Sequence, residues 1–244
     1  MANLYFTATP LDASTVRIEL TGDEARHAVQ VARVRVGERF SVSDGRGWRA
    51  DAVVTSADKS VVVCDVEQVR FDSAPSTRFV LAQALAKGDR DEMAIQMATE
   101  LGVDTVIPWQ SERSVSRWAG DKVAKGMARW TAIVREASKQ AVRSRIPAVT
   151  NPVSTATLCG SVPEANWIVL DPRASTSLTE WFASAGNPTT VGVIVGPEGG
   201  ITDDEIARFE TDGATPVRLA GPILRTSTAG PAAIAAILAL SGTW

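Results

Sequence analysis

Two short loops hold the residues best suited to chemistry. The first, GPEGGITDDE from Gly196 to Glu205, follows an apolar run and sets a lone acid, Glu198, among glycines. Glycine has no Cβ, so backbone groups there can approach a ligand closely. A carboxylate in such a loop can accept a proton or orient a polar group; its plain alternative is a tight turn with Glu198 capping nearby N–H groups. The second loop, LAGPILRTSTAGPAA from Leu219 to Ala233, places Arg225, Thr226, Ser227 and Thr228 just before an apolar helix. Hydroxyls and N–H groups at a helix start bind polar or anionic groups, or simply cap the helix. Arg225 can stabilise developing negative charge or stand in a structural ion pair.

Several chemistries fail on inventory. His27 is the single histidine of the 244-residue chain, so a Ser/His/Asp hydrolase or a histidine-rich metal centre is hard to assemble, and no metal is expected. Neither G-x-G-x-x-G nor G-x-x-x-x-G-K-[ST] occurs. Cys64 and Cys159 stand far apart and read as buried thiols. The net charge of -3 excludes a uniformly basic protein, so the position of the positive charge matters. It gathers between Lys122 and Arg145, where seven basic residues face the single acid Glu136. Arg135, Lys139 and Arg143 are spaced four apart and form a helical stripe, which is either a solvated face or a track for phosphates.

The elements that must position these residues fall into two patterns. Up to about residue 72 the chain reads as short alternating strands, with an Asp44-Gly45 turn between RFSVS and the next run. This predicts a small β-barrel over 1–72, interrupted by a helical start at DEARHAVQVARVRVG. DSAPST, Asp72 to Thr77, carries the linker, which is set at 73–78. From Phe79 to the end, 79–244, strand and helix alternate: FVLAQALA, a helix ending at Gly102, VDTVIP, a long helix over 121–142, NWIVLD and TVGVIV. That alternation predicts an α/β unit with a parallel sheet. Thr202 and Glu205 form a T-x-x-E capping box, so a helix begins directly after the glycine loop. AGPAAIAAILAL is apolar all round and predicts a buried helix. No membrane span or signal core is legible, which predicts a cytoplasmic protein.

Five ordered motifs, GPEGGITDDE, LAGPILRTSTA, KGDRDEMAIQMATELGV, PWQSERSV and REASKQAVRSRIP, resemble the RsmE family, bacterial 16S rRNA uracil-N3 methyltransferases of the SPOUT superfamily. The resemblance runs from Phe79 to Leu240. RHAVQVARVRVGERFSVSDG is similar to that family's PUA-like RNA-binding barrel. The resemblance implies an α/β SPOUT domain with a trefoil knot, a homodimer, and 16S rRNA or the small ribosomal subunit as partner. It also implies S-adenosylmethionine as cofactor, with Leu170, Gly196, Gly200, Leu219, Gly221, Ile223, Leu224 and Thr226 as its pocket. Arg225 is then expected to stabilise the uracil anion and Glu198 to orient the base or accept its proton. RNA contacts are expected from His27, Arg33 and Arg35, from Lys87, Arg90 and Arg113, and from Arg135, Lys139, Arg143 and Arg145. The chain departs from the pattern at Ala220, usually Gly, at Ser227, usually Glu, at Met97, usually Lys, and in lacking an early Arg in MANLYF. Ser227 leaves Glu198 as the nearest acid in a matching motif. Ser227 and Ala220 keep open a non-catalytic RNA-binding or ribosome-assembly factor, and the resemblance, which implies the cofactor site more than the target, keeps open a SPOUT methyltransferase acting on another RNA such as tRNA.

Overall fold

The computed structural model describes residues 4–219 and 221–244. Ala220 and the first three residues, on which two of the departures fall, lie outside that range. The chain forms two compact units, one running to Ala74 and joined by Ser138–Ile146, the other made of Pro75–Ala137 and Pro147–Trp244.

The first unit is a five-stranded sheet. Its strands are β1 (Leu4–Phe6), β2 (Arg17–Thr21), β3 (Arg39–Ser43), β4 (Trp48–Ala57) and β5 (Val61–Phe71), in the order β1-β3-β4-β5-β2. Strict alternation in β2 buries Ile18 and Leu20 and leaves Arg17, Glu19 and Thr21 in water, as a period of two requires. Register shifts between β4 and β5 at Asp51/Ala52 and Val54/Ser56 are the kind of irregularity that coils a long strand pair. The expected helical start is α1 (Gly22–Arg26), continued by a wider turn over His27–Val31. Tyr5, Leu20, Phe40, Val54 and Val62 are among the core.

Ser138–Ile146 joins this unit through specific bonds. The hydroxyl of Ser43 and the N–H of Gly47 donate to the Ser144 carbonyl at 2.9 and 3.0 Å, and the Ile146 N–H donates to Gly45. The motif that reads as a basic helix end is therefore, past Ala137, part of the N-terminal unit.

The second unit holds the expected parallel sheet. Its strands are β6 (Arg78–Ala84), β7 (Thr105–Gln110), β8 (Ala148–Val149), β9 (Val153–Ser154), β10 (Asn166–Leu170), β11 (Thr190–Val195) and β12 (Thr215–Val217). The order is β12-β10-β11-β6-β7-β8, with β9 also on β7, and every pairing is parallel. Both faces are covered, so β11 is buried at all six positions and carries no alternation. The helices are α2 (Arg90–Glu100), α3 (Asp121–Gln140), which belongs to this unit up to Ala137, α4 (Leu178–Ala185), α5 (Asp203–Thr211) and α6 (Thr226–Leu240). α6 is the apolar helix: it buries Ala233, Ile234 and Ile237, and it can lie close to the sheet because Gly230 faces Leu81, whose Cδ1 would be 2.8 Å from a Cβ there. From β6 the chain moves to β7 on one side, while β11 flanks it on the other, so β6 and β11 mark the switch point where open α/β sheets bind ligands.

Candidate functional site

A cleft of about 560 Å³ opens at the carboxyl ends of β10 and β11, within the roughly 300–1,000 Å³ typical of small-molecule sites. Three loops build it: Leu170–Arg173 after β10, Val195–Ile201 after β11, and Ile223–Thr226 at the start of α6. Arg90 and Arg113 complete the rim. A smaller cavity of about 70 Å³ shares Leu170, Ile223 and Leu224 and adds Leu219.

The β11 loop is shaped by its glycines and braced by one buried acid. A Cβ on Gly196 would come within 2.5 Å of Ile201, and Gly200 sits at φ +74, closing a turn in which its N–H donates to the Pro197 carbonyl at 2.9 Å. Thr202 then caps α5 in a full capping box with Glu205. Glu205 does more than cap. Its buried carboxylate accepts from the Glu112 N–H at 2.8 Å, the Ser111 hydroxyl at 3.2 Å, the Thr155 hydroxyl at 2.9 Å and the Thr202 N–H at 3.1 Å. Burial pushes this carboxyl up, but the bonds from Glu112, Thr202, Thr155 and Ser111 outweigh it and hold the group below its ordinary range.

Glu198 projects from the turn and bridges two loops. Its Oε1 accepts the Lys87 N–H at 3.0 Å and faces Arg90 Nη1 at 3.4 Å. Oε2 has no hydrogen-bond partner among the described residues. Arg225 precedes the first turn of α6, is exposed, and makes no ion pair among the described residues. Thr226 is buried: it donates to the Gly196 carbonyl at 2.7 Å and accepts from Gln83 Nε2 at 2.9 Å. Gln83 is fully buried and ties β6 through Thr226 to the β11 loop.

Of the residues expected at a cofactor pocket, Leu170, Gly196, Gly200, Ile223, Leu224 and Thr226 line the main cleft and Leu219 the adjoining cavity. Gly221 is exposed and lines neither. Ser227 is buried in α6 and also lines neither, so its hydroxyl takes no place in the cleft. Asp171 and Arg173, which no motif singles out, form a two-pronged ion pair at 3.0–3.2 Å extended to Asp203 at 2.7 Å. Gln83 lies outside the motifs too, although a lone amide in the apolar run FVLAQALA is a legible signal.

The basic residues separate by position. Lys87 and Arg113 are exposed and Arg90 is half-buried around the cleft, with Arg113 Nη1 donating to the Gly199 carbonyl at 3.1 Å. In the N-terminal unit His27, Arg33 and Arg35 are exposed. Arg135 and Arg143 are half-buried. Lys139 is 8% exposed, 3.2 Å from Glu24 and above the Tyr5 ring, so it does not belong to a solvent-facing stripe. Arg145 is likewise engaged: it donates to the carbonyls of Arg46 at 2.8 Å and Asp72 at 2.9 Å and stacks on Phe71. The reason is shared, since the segment past Ala137 packs into the N-terminal unit and uses its cations to satisfy that unit's acids and carbonyls.

The cleft suits a small molecule with both apolar and polar parts. Leu170, Val195, Ile201, Ile223, Leu224 and Ala229 offer apolar walls, and the glycine turn offers backbone groups without side-chain obstruction. Among the described residues no group of three or more His, Cys, Asp or Glu is placed to hold a metal ion. No helix among them is long and apolar enough to cross a membrane.

Two family models match this chain: an RNA methyltransferase domain over residues 73–238 and an RNA methyltransferase PUA domain over residues 20–67. A ribosomal RNA small subunit methyltransferase E from Mycobacterium bovis is 38% identical over all of this chain and 94% of its own. That of Bacillus subtilis is 33% identical over 89% of this chain and 88% of its own. The crystal structure of a ribosomal RNA small subunit methyltransferase E from Neisseria gonorrhoeae bound to S-adenosylmethionine superposes with a TM-score of 0.88 at 29% identity, covering 98% of both chains.

Proposed function

Because the chain belongs to the RNA methyltransferase family that includes the ribosomal RNA small subunit methyltransferases E, we propose that it methylates N3 of one uridine in the 16S rRNA of the small ribosomal subunit. The observation that carries this reading is the division of labour within the Glu198 carboxylate. One oxygen is held by Lys87 and Arg90 while the other is left open, and the guanidinium of Arg225 lines the same cleft.

Uracil N3 carries a proton and is a poor nucleophile until that proton leaves. Glu198 Oε2 accepts it, and the fixed Oε1 keeps the carboxylate oriented while it does so. Arg225 donates to O2 or O4 of the base, where negative charge develops. S-adenosylmethionine, when bound, supplies an electrophilic methyl group on a positively charged sulfur. Leu170, Val195, Ile223 and Leu224 keep water from the site, which favours a step that removes charge. The backbone of Gly196 and Gly200, with Leu219 and Thr226, holds the cofactor. Ser227, buried outside the cleft, takes no part in proton transfer.

RNA binding is shared in this reading. Lys87, Arg90 and Arg113 meet phosphates near the cleft, and His27, Arg33 and Arg35 on the PUA-like unit set register. The protein acts as a cytoplasmic homodimer, in which a second copy covers the rim at Ile223, 80% exposed in the single chain. The test is methyl transfer from labelled S-adenosylmethionine to small subunits purified from a strain lacking this protein, followed by mass mapping of the modified base. A single N3-methyluridine in 16S rRNA is the expected product. Labelling confined to tRNA, or cofactor binding with no transfer to any RNA, overturns the assignment.

A further inference from the structure

On the far side of the turn after β6 lies a second cavity, of about 390 Å³. That turn serves both sites: the Lys87 N–H reaches Glu198 in the main cleft, while Lys87, Gly88 and Asp89 line the second cavity. Trp118 forms another part of its wall. The indole rests directly on Gly126, where a Cβ would come within 2.3 Å of the ring, and meets Trp130 edge-on at 5.3 Å. Trp118 is thus a fixed and still partly exposed aromatic surface.

Asp89 is the N-cap of α2 and sits in the left-handed region at φ 60, ψ 14, a conformation that strains a non-glycine residue. An aspartate at an N-cap ordinarily accepts from the first-turn N–H groups. This one makes no capping bond, and its carboxylate has no hydrogen-bond partner among the described residues. The Lys87 ammonium likewise has no ion-pair partner among them. Arg129, also on the wall, is already held by Glu92 through contacts of 2.7–3.1 Å.

A flat aromatic surface, an ammonium without an ion-pair partner and a carboxylate that feels the Arg129 charge but makes no hydrogen bond among the described residues match the three parts of a ribonucleotide. Bases that are unpaired stack on aromatic side chains, phosphates seek lysine, and the ribose 2′-OH is a donor that DNA lacks. Asp89 repels a phosphate, so it selects the hydroxyl. Resting on the reading of the main cleft as the site of RNA methylation, we propose that this cavity is a subsite for one unpaired ribonucleotide flanking the methylated one, with its base on Trp118, its 2′-OH on Asp89 and its phosphate on Lys87. The shared turn then separates neighbouring nucleotides of one strand.

The test uses the full chain, a fluorescein-labelled seven-nucleotide single-stranded RNA with a central uridine, and its all-deoxy counterpart, with anisotropy at fixed salt. Affinity for S-adenosylmethionine is measured in parallel. Trp118→Ala is expected to weaken RNA binding about tenfold, the scale of one stacking contact, and Trp118→Phe to remain within about threefold of the parent. Asp89→Gly keeps the left-handed turn and removes the acceptor; it is expected to reduce the preference for RNA over DNA to about twofold or less. Gly126→Ala displaces the indole without deleting it and serves if Trp118→Ala does not fold. Unchanged RNA affinity in Trp118→Ala and Gly126→Ala overturns the subsite, as does equal binding of RNA and DNA by the parent. Intact cofactor binding in those cases leaves the methyltransferase reading standing. Absence of cofactor binding and of methyl transfer in the parent would instead strike that reading, and with it the flanking position given to this subsite, a result distinct from the two above.

Discussion

The backbone N–H of Lys87 donates to Oε1 of Glu198 at 3.0 Å, joining the turn after β6 to the loop after β11 across the switch point of the sheet. This bond gives the acid a fixed direction and leaves its second oxygen without a hydrogen-bond partner among the described residues. It also makes Glu198 the residue whose replacement separates binding from reaction most cleanly.

Glu198→Gln keeps an oxygen for the Lys87 N–H and removes the proposed proton acceptor. Single-turnover methylation should fall by about 10²-fold or more, the contribution of a positioned general base. S-adenosylmethionine affinity should stay within about twofold. A variant with unimpaired turnover would show that Glu198 only braces the loop.

Arg225→Ala should lower the rate of methyl transfer by about 10²-fold, comparable to removal of one charge-stabilising donor. The side chain is exposed and unpaired among the described residues, so melting temperature should hardly move. Arg225→Lys should recover part of the rate. Equal loss of stability and activity would mark the arginine as structural.

Glu205→Ala leaves the N–H groups of Glu112 and Thr202 without their acceptor, and should cost about 3 kcal/mol in urea unfolding at pH 7. The sign of its pH dependence follows from the lowered folded value. The stability it contributes is present above the unfolded carboxyl value, about 4.3, and is lost as pH falls through the lower folded value. The gap between parent and variant should therefore be full at pH 7 and narrow under strong acid. A gap that widened on acidification would contradict the bonding described for this group.

Lys139→Met and Lys87→Ala should part company. The first strips a cation from a largely buried pair with Glu24 and should cost about 2–3 kcal/mol of stability, with the salt dependence of RNA binding unaltered. The second should leave stability unchanged and reduce the log-log salt slope by about one. A slope change in Lys139→Met at unchanged stability would restore that lysine to the RNA-facing set.

Both thiols should be silent in the native protein. Burial, then the nearby Asp65 charge, raises Cys64 to about 11, and burial, then Asp212, raises Cys159 to about 11. A thiol-specific chromogenic reagent at pH 8 should therefore react only after denaturant is added. Rapid labelling of the folded chain would place a cysteine at the surface.

Much of this protein was legible in one dimension because the relevant physics is local. Alternation in Arg17–Thr21, the Asp44-Gly45 turn, the largely apolar runs of β6, β10 and β11 and the Thr202/Glu205 capping box each depend on neighbours a few residues apart. Glycine at 196 and 200 likewise announced a loop made for close approach. By itself the sequence determined the α/β class, the parallel sheet and the strand and helix pattern that builds it. What tertiary structure decided depends on groups far apart in the chain. Lys139 has the spacing of a surface stripe, but Glu24 and Tyr5 bury it. Glu205 has the spacing of a cap, but Glu112 and Thr155 make it a brace. Glu198 could have faced anywhere until Lys87 took one of its oxygens. A charged side chain's role is set by the partners that replace its water, and those partners are assembled only when the chain folds.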